Sequence, residues 1–280
     1  MGKARKPRSP ALTGAVCTRG RPDDWPEGLR RALASLSRQS RPLAEILIID
    51  NAPGDDRVRV LVEREFPEVR YLEESMAGLG FARNRALSAA IGDVVAFLDD
   101  DAVADRGWAA ALLAPFRDDY KVAAVTGRVV GGFPHGPRGE QRLRVATPSI
   151  ARVVGLGGGC SLAVQRWRIL RQGGFDESLD RACTHDALWR LLTAGWAVQY
   201  EPAAVAGQER PGLGQEELVA FLAKSFLDAR GPGRLGLLAF LAWQLARPVL
   251  RLRPREAAQG WRGLRAWSSG RERRRPQRAT

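Results

Sequence analysis

The chain has 280 residues, 45% of them hydrophobic, and a formal net charge of +13, which suits a globular protein with a sizeable core. Its three scattered cysteines form no CxxC pair, which argues against both a disulfide framework and a zinc site. No apolar stretch typical of a signal peptide follows the basic N-terminus. We therefore expect a cytoplasmic protein.

The positive charge is concentrated at the two ends of the chain. Residues 230–280 contain thirteen arginines and two acids, residues 1–10 contain four basic residues, and the rest of the chain is close to neutral. Because the central part shows no platform of basic and aromatic residues, the charge distribution argues against nucleic acid as a partner. We expect residues 1–10 and 270–280 to be disordered.

Short apolar runs alternate with helical patterns between residues 12 and 130. The predicted strands are 12–18, 45–50, 69–72, 93–98 and 122–130, and the predicted helices are 25–40, 55–66, 81–90 and 108–116. Further along, the pattern predicts a strand at 162–164, a helix at 186–194 and strand pieces at 198–200 and 203–205. This order predicts an α/β fold with a mostly parallel sheet covered by helices on both faces.

Three consecutive acids, Asp99, Asp100 and Asp101, follow the apolar strand at 93–98. Neighbouring carboxylates repel one another and are costly to desolvate, and a hard divalent cation such as Mg²⁺ or Mn²⁺ would relieve both problems. Ligands in open α/β sheets bind outside the carboxyl ends of strands. The run therefore predicts a metal–diphosphate site. The alternative is a solvated acidic turn in which one Asp caps the next helix.

Other polar residues stand where neighbouring strands or helices end. Thr18 and Arg19 end the first strand, with Arg21 close behind, and Asp50 ends the second. An Asp there can accept a hydrogen bond from a nucleobase or ribose, and an arginine can bind phosphate. Arg83 lies at a glycine-containing helix start, which favours anions. Taken singly, Asp50 could equally be a helix cap and Arg83 a surface residue.

These segments make the chain similar to the family-2 glycosyltransferases of GT-A fold over roughly residues 11–210. The matching segments, in the family's order, are Cys17-Thr18-Arg19-Gly20-Arg21-Pro22, Ile48-Ile49-Asp50-Asn51, Gly80-Phe81-Ala82-Arg83-Asn84, Phe97-Leu98-Asp99-Asp100-Asp101, Gly173-Gly174-Phe175-Asp176-Glu177 and Arg190-Leu191-Leu192-Thr193-Ala194-Gly195-Trp196. The resemblance implies a nucleotide-diphosphate sugar donor, a divalent cation and transfer to an acceptor hydroxyl or amine with inversion.

The resemblance also implies roles for individual residues. The residues expected to bind the donor are Thr18, Arg19, Arg21, Asp50, Arg83, Asp99 and Asp100, and the metal ligands are Asp101 and Asp99. Residues 11–130 would form the nucleotide-sugar-binding half of the domain and residues 131–214 the acceptor-binding half. In the second half, a glycine-rich run predicts acceptor contacts at Gly158, Gly159 and Cys160, although such a run could also be a mobile loop.

The acceptor side departs from the family pattern. The family's Glu-Asp pair, which includes the general base, aligns without gaps on Cys183 and Thr184. We expect Asp186 to be the base, with a helix N-cap as its alternative role, and we assign His185 to the acceptor site. The family's metal-binding His aligns near Gln208. These departures leave open a degenerate, non-catalytic sugar-nucleotide-binding or scaffold protein.

The C-terminal part lies beyond the resemblance. Residues 216–230 have an amphipathic helical pattern, and residues 235–245 form an apolar run too short to span a bilayer. Arginines and tryptophans follow. We therefore interpret 215–269 as a helical extension that either contacts an anionic membrane, on its inner face, or caps the sheet.

Overall fold

The computed structural model describes residues 9–20, 25–131, 141–147, 153, 156, 159–179 and 182–208. The strands within these ranges are β1 Leu12–Thr18, β2 Glu45–Asn51, β3 Arg70–Glu74, β4 Val94–Asp99, β5 Ala102–Ala104, β6 Val122–Val130, β7 Leu143–Val145, β8 Ser161–Gln165 and β9 Ala197–Gln208. The helices are α1 Trp25–Ser37, α2 Arg57–Glu65, α3 Leu79–Ala89, α4 Trp108–Asp118, α5 Arg166–Arg171 and α6 Cys183–Thr193.

The strands form one sheet in the order β3-β2-β1-β4-β8-β6-β9-β5, with β7 paired to β9. The first four strands in this order are parallel, and so is the β6–β9 pair. Strand β8 is antiparallel to both of its neighbours, and β5 and β7 are antiparallel to β9. The predicted α/β fold is confirmed, but the sheet is mixed, because its parallel pairings form two blocks separated by β8.

Both faces of the sheet are covered, as the continuous apolar run of β4 predicts. Its alternate residues point to opposite sides. Phe97 packs in a core with α3 and α6, whereas Leu98 packs in a second core with α1 and α4. Trp108 of α4 is fully buried in the second core, and its indole Nε1 donates to Ser161 Oγ at 2.8 Å. The central strand is thus fixed from both sides.

The last strand, β9, is longer than the two pieces that the sequence predicts. Its pairing with β6 jumps from Gly127–Glu201 to Arg128–Val205, so three residues of β9 bulge out of the ladder. Pro202 lies in this bulge, where its missing N–H costs no ladder hydrogen bond. The strand therefore continues past the proline and ends at Gln208, close to the acidic run.

Several sequence-based expectations fall outside the described residues. One is the expected disorder of residues 270–280 and of residues 1–10, of which the structure describes only 9 and 10. Another is the expected helical extension 215–269, with its membrane or capping role. Both stay predictions. In the ranges that the structure does describe, no helix is long and apolar enough to cross a membrane. Strands from both predicted halves share the one sheet, and the assignment of donor and acceptor binding to the two sides of residue 130 stays a prediction.

Helix α3 packs so closely on the turn at 173–177 that Gly80 has no room for a side chain. A Cβ at this position would lie 2.9 Å from the Asp176 carbonyl oxygen and 2.8 Å from Glu177 Cα, both of which are backbone atoms. We expect Gly80→Ala to lower the free energy of unfolding by about 1–3 kcal/mol, because the helix or the turn must shift. Urea unfolding measures this.

The matched control is Gly54→Ala, since a Cβ there meets no atom within 4 Å. Equal stability losses in the two alanine variants would contradict the close packing of α3 against the turn.

Candidate functional site

The polar residues that the sequence places at strand ends lie at the ends of neighbouring strands in the structure. In the parallel register, Thr18 of β1 stands beside Asp50 of β2, and Cys17 beside Asp99 of β4. Thr18 Oγ1 also donates to Asp100 Oδ2 at 2.7 Å. Because parallel strands end at one edge of a sheet, the first half of the candidate site lies along the carboxyl edge of β1, β2 and β4.

The acidic run is a fixed, partly buried structure. Asp101 is only 6% exposed, and Asp99 and Asp100 are half-buried. The Gln208 amide Nε2 donates to Asp99 Oδ2 at 2.9 Å and to Asp101 Oδ1 at 3.3 Å. The alternative of a solvated turn with a capping Asp is therefore wrong, and the residue at the N-cap of α4 is Gly107.

Gln208 is the site residue whose contact the sequence did not reveal. It lies at the end of β9, more than 100 positions from the acids that it contacts, and its side chain is 7% exposed. The only sequence signal was its position near the family's metal-binding His. Across the described part of the chain, no three His, Cys, Asp or Glu side chains are grouped to hold a metal.

Asp50 is enclosed by the protein and hydrogen-bonded to Tyr71. Its side chain is 1% exposed, and Oδ2 accepts a hydrogen bond from the Tyr71 hydroxyl at 2.9 Å. Burial raises the pKa of Asp50 above its usual value, although the hydrogen bond from Tyr71 opposes this. A nucleotide-sugar donor that contacts Asp50 would have to displace the Tyr71 hydroxyl or share the carboxylate with it. Arg19 is exposed at the end of β1, and Arg21 lies outside the described residues.

Arg83 is an internal bridge between the two halves of the domain. Its side chain is 1% exposed and lies against both the Phe97 and the Phe175 ring, 5.4 Å from each centroid. Its guanidinium donates to Thr184 Oγ1 and, at 3.1 Å, to the Gly159 carbonyl oxygen. The guanidinium charge is thus turned into the protein, and this arrangement does not support the expected donor contact, which stays a prediction.

Of the acceptor residues predicted from the glycine-rich run, Cys160 is buried and Gly159 is half-buried. Gly159 packs so closely on Arg83 that a Cβ would collide with the guanidinium. Cys160 is 4% exposed, and burial raises its pKa well above the usual value, with Asp99 and Asp101 adding to the rise. The expected acceptor contact of Cys160 is therefore not available at the surface. Gly158 lies outside the described residues.

Asp186 and His185 lie in the first turn of α6 and are only 3% and 2% exposed. Asp186 Oδ2 accepts from Arg190 Nε at 2.8 Å, and Arg190 also donates to the Gly174 carbonyl oxygen at 2.6 Å. The N-cap of α6 is Ala182, so the alternative capping role of Asp186 is wrong. Asp186 is thus tied to the turn at 173–174, and its role as base stays a prediction.

A polar pocket of about 320 Å³ opens beside this turn. Asn84 fixes one wall: its Oδ1 accepts from the Phe175 backbone N–H at 2.8 Å, and its Nδ2 donates to Glu177 Oε1 at 3.0 Å. The lining residues are Asn84, Gln172, Gly173, Phe175, Asp176, Glu177 and Arg190. The sequence marked most of them as motif residues but gave no sign that they surround a cavity.

The matches to known proteins agree with this fold. The model of the glycosyl transferase family 2 matches residues 15–179, which is more than half of the chain, so the chain belongs to glycosyltransferase family 2. The prediction of a transferase of this family with the GT-A fold is confirmed.

Two relatives indicate the range of the similarity. The pre-mycofactocin glycosyltransferase of Mycobacterium tuberculosis is 31% identical over 197 residues, which cover 65% of this chain and 40% of the relative. The succinoglycan biosynthesis protein ExoM of Rhizobium meliloti is 28% identical over 243 residues, which cover 79% of this chain and 73% of ExoM. The chain thus spans about 40% of the length of the mycobacterial relative.

Solved structures share the fold at low identity. The mannosyltransferase PcManGT from Pyrobaculum calidifontis, in complex with GDP-Man and Mn²⁺, superposes with a TM-score of 0.63 at 20% identity, and the match covers 94% of this chain and 76% of PcManGT. S. aureus TarS in complex with UDP gives a TM-score of 0.57 at 18% identity, covering 85% of this chain and 71% of TarS.

The bridging role of Arg83 predicts a large stability loss on its removal. Arg83→Met leaves the buried Gly159 carbonyl and Thr184 hydroxyl without their donor, so we expect unfolding free energy to fall by about 1–3 kcal/mol. Urea unfolding tests this against Arg85→Met, an exposed arginine on the same helix, which we expect to change stability by about 0.5 kcal/mol or less. Similar losses in both variants would show that the buried contacts of Arg83 contribute little.

Proposed function

We propose that this protein transfers a sugar from a nucleotide-diphosphate donor to an acceptor hydroxyl or amine, with inversion and with the help of a divalent cation. The observation that carries the proposal is the convergence of Asp99 and Asp101 on Gln208 at the carboxyl edge of the sheet. Membership of glycosyltransferase family 2 supports it, as do fold neighbours solved in complex with GDP-Man and Mn²⁺ or with UDP.

The residues present fit a hard divalent cation. The two carboxylates already share one partner, the Gln208 amide, so a cation between them would replace a donor nitrogen and reduce their mutual repulsion. Rotation of that amide would present its carbonyl oxygen, which is a suitable ligand for Mg²⁺ or Mn²⁺. Asp99, Asp101 and Gln208 would then hold the metal. When bound, it would supply positive charge to stabilise the leaving diphosphate.

The remaining donor contacts follow from the strand ends. Arg19 is exposed and can move towards a phosphate, and Arg21 follows two positions later. Thr18 is 2% exposed and holds Asp100, so we assign both a role in shaping the donor site. Asp50, at the end of the next strand, would receive a nucleoside donor group. This set orients the donor along the carboxyl edge of β1, β2 and β4.

For the chemical step, we propose Asp186 as the base that removes the acceptor proton while the acceptor attacks in line. It is the acid nearest the family's base position, and the polar pocket beside Arg190 would admit an acceptor. The general-base role requires Arg190 to swing aside or share Asp186 with the acceptor, because Arg190 now occupies Oδ2.

A second candidate function is a sugar-nucleotide-binding protein without transferase activity. It is favoured by two internal contacts on the acceptor side: Arg83 donates a hydrogen bond to Thr184, and Arg190 donates one to Asp186. Such a protein would still bind a nucleotide with a metal but would transfer nothing. A panel of nucleotides and nucleotide sugars with and without Mn²⁺, read by thermal shift, tests donor binding for both functions.

The metal site predicts a specific loss in one variant. Asp101→Asn should abolish the part of nucleoside-diphosphate binding that depends on Mn²⁺, because an amide cannot supply the ligand charge. At hundredfold excess over Kd a ligand stabilises the native state by about 2.7 kcal/mol, so the Mn²⁺-dependent thermal shift should disappear. Asp105→Asn, an exposed acid four positions away, is the control. A full Mn²⁺-dependent shift in Asp101→Asn would remove Asp101 from the metal site.

The base assignment predicts a loss of transfer without a loss of donor binding. Asp186→Asn should lower kcat at saturating donor by about two to four orders of magnitude, the usual contribution of a positioned base. Arg190→Met breaks the same ion pair but keeps the carboxylate, and it should retain most of the activity.

Equal losses in Asp186→Asn and Arg190→Met would mean that the ion pair, and not a base, is what transfer requires. Absence of transfer by the unaltered protein across lipid-linked and small-molecule acceptors, despite nucleotide binding, would favour the non-catalytic function.

A further inference from the structure

The end of the sheet opposite to the acidic run exposes a cluster of aromatic and cationic side chains. Three of its residues are well exposed: Tyr120 is 73% exposed, Trp167 44% and Leu170 40%. They lie where β6 and β9 begin and where β8 runs into α5. We call this cluster the aromatic patch, and it consists of Tyr120, Lys121, Trp167, Leu170, Arg171 and Trp196.

The two tryptophans of the aromatic patch pack against each other and against a buried arginine. The Trp167 and Trp196 rings meet edge to face, with centroids 5.8 Å apart. Arg168 is 5% exposed, lies 3.9 Å from the Trp196 ring centroid and donates to the Val122 carbonyl oxygen at 2.7 Å and to that of Tyr120. The Trp167 and Trp196 rings are therefore packed in place without a ligand, which lowers the entropic cost of binding.

The patch is cationic as well as aromatic. The Lys121 ammonium lies 5.4 Å from the Tyr120 ring centroid and 5.6 Å from that of Trp196. Arg171 is exposed and lies 5.8 Å from the Trp167 centroid. The acid that precedes Tyr120, Asp119, accepts a hydrogen bond from Arg144 at 2.8 Å, which offsets its charge.

We propose that the aromatic patch rests on the surface of an anionic phospholipid bilayer. Tryptophan and tyrosine favour the interface between water and hydrocarbon, and lysine and arginine favour lipid phosphates. A second copy of the chain is a poorer fit, because docking the patch on itself would bring cations together. Single-stranded nucleic acid is also a poorer fit, because protein cations already lie against the rings on which bases would stack.

Docking through the patch would turn the candidate active site away from the bilayer. Strand β6 has nine residues and runs from the patch towards the carboxyl edge, a length of about 30 Å. The inference does not depend on the proposed function, since it concerns the opposite end of the sheet.

The test is sedimentation of the full chain with vesicles of phosphatidylcholine, with and without 30 mol% phosphatidylglycerol (about that fraction is enough for a negative surface). We expect binding to the anionic vesicles to fall about tenfold in Trp167→Ser with Leu170→Ser and about fivefold at low salt in Lys121→Glu. The control is Met76→Ser, which removes a 56% exposed apolar residue that follows the end of β3, at the opposite edge of the sheet.

A spectroscopic measurement separates the patch from the basic C-terminal residues. Brominated lipids should quench Trp167, so the quenching lost in Trp167→Phe reports whether that ring reaches the bilayer. Unchanged vesicle binding in the patch variants, or no quenching from Trp167, would overturn the proposal. A lipid-free dimer that the patch variants abolish would assign the surface to a second copy, and lost oligonucleotide binding would assign it to nucleic acid. Either result would also overturn it.

Discussion

The repulsion among three carboxylates at the end of a buried strand is the constraint on which the rest of this structure depends. A strand covered on both faces has few exposed positions, so the charges must be placed at its end and held there by donors. Thr18 from β1 and Gln208 from β9 supply those donors. Gln208 can do so only because β9 continues past Pro202 through a bulge, which links the far side of the sheet to the acidic run.

The second organising interaction is the buried guanidinium of Arg83. Its contacts with Phe97 and Phe175 and with the Thr184 hydroxyl join the strand that carries the acids to the helix that carries Asp186. An arginine in such a place is costly unless its donors are satisfied, so its partners are constrained too. In the proposed function, Arg83 would hold the donor and acceptor sides in fixed positions relative to each other without contacting either substrate.

The sequence predicted the strands and helices that carry strong patterns. The predicted bounds of β1 and β6 agree with the structure, because both are apolar runs with clear ends. Strands β5 and β7 and helix α5 were missed, since three to six residues are too few to show a period. The sequence predicted two strand pieces, 198–200 and 203–205, where the structure has the single strand β9. Proline usually ends a central strand, and only the bulge makes Pro202 acceptable within this one.

The candidate site was predicted in part. Position at strand ends brought out Thr18, Asp50 and the acidic run, because parallel topology alone places such residues together. The contacts of Gln208, the burial of Arg83 and the ion pair of Asp186 with Arg190 depend on tertiary packing. No local pattern encodes them.

In the proposed function, the acidic run binds a divalent cation together with a nucleoside diphosphate. The most direct measurement is a titration of Mn²⁺ followed by the electron paramagnetic resonance signal of the free ion, with and without GDP or UDP. We expect one Mn²⁺ per chain, bound more tightly by protein and nucleotide together than by either alone. If the mixture binds no more Mn²⁺ than the free nucleotide does, the acidic run is not a metal site.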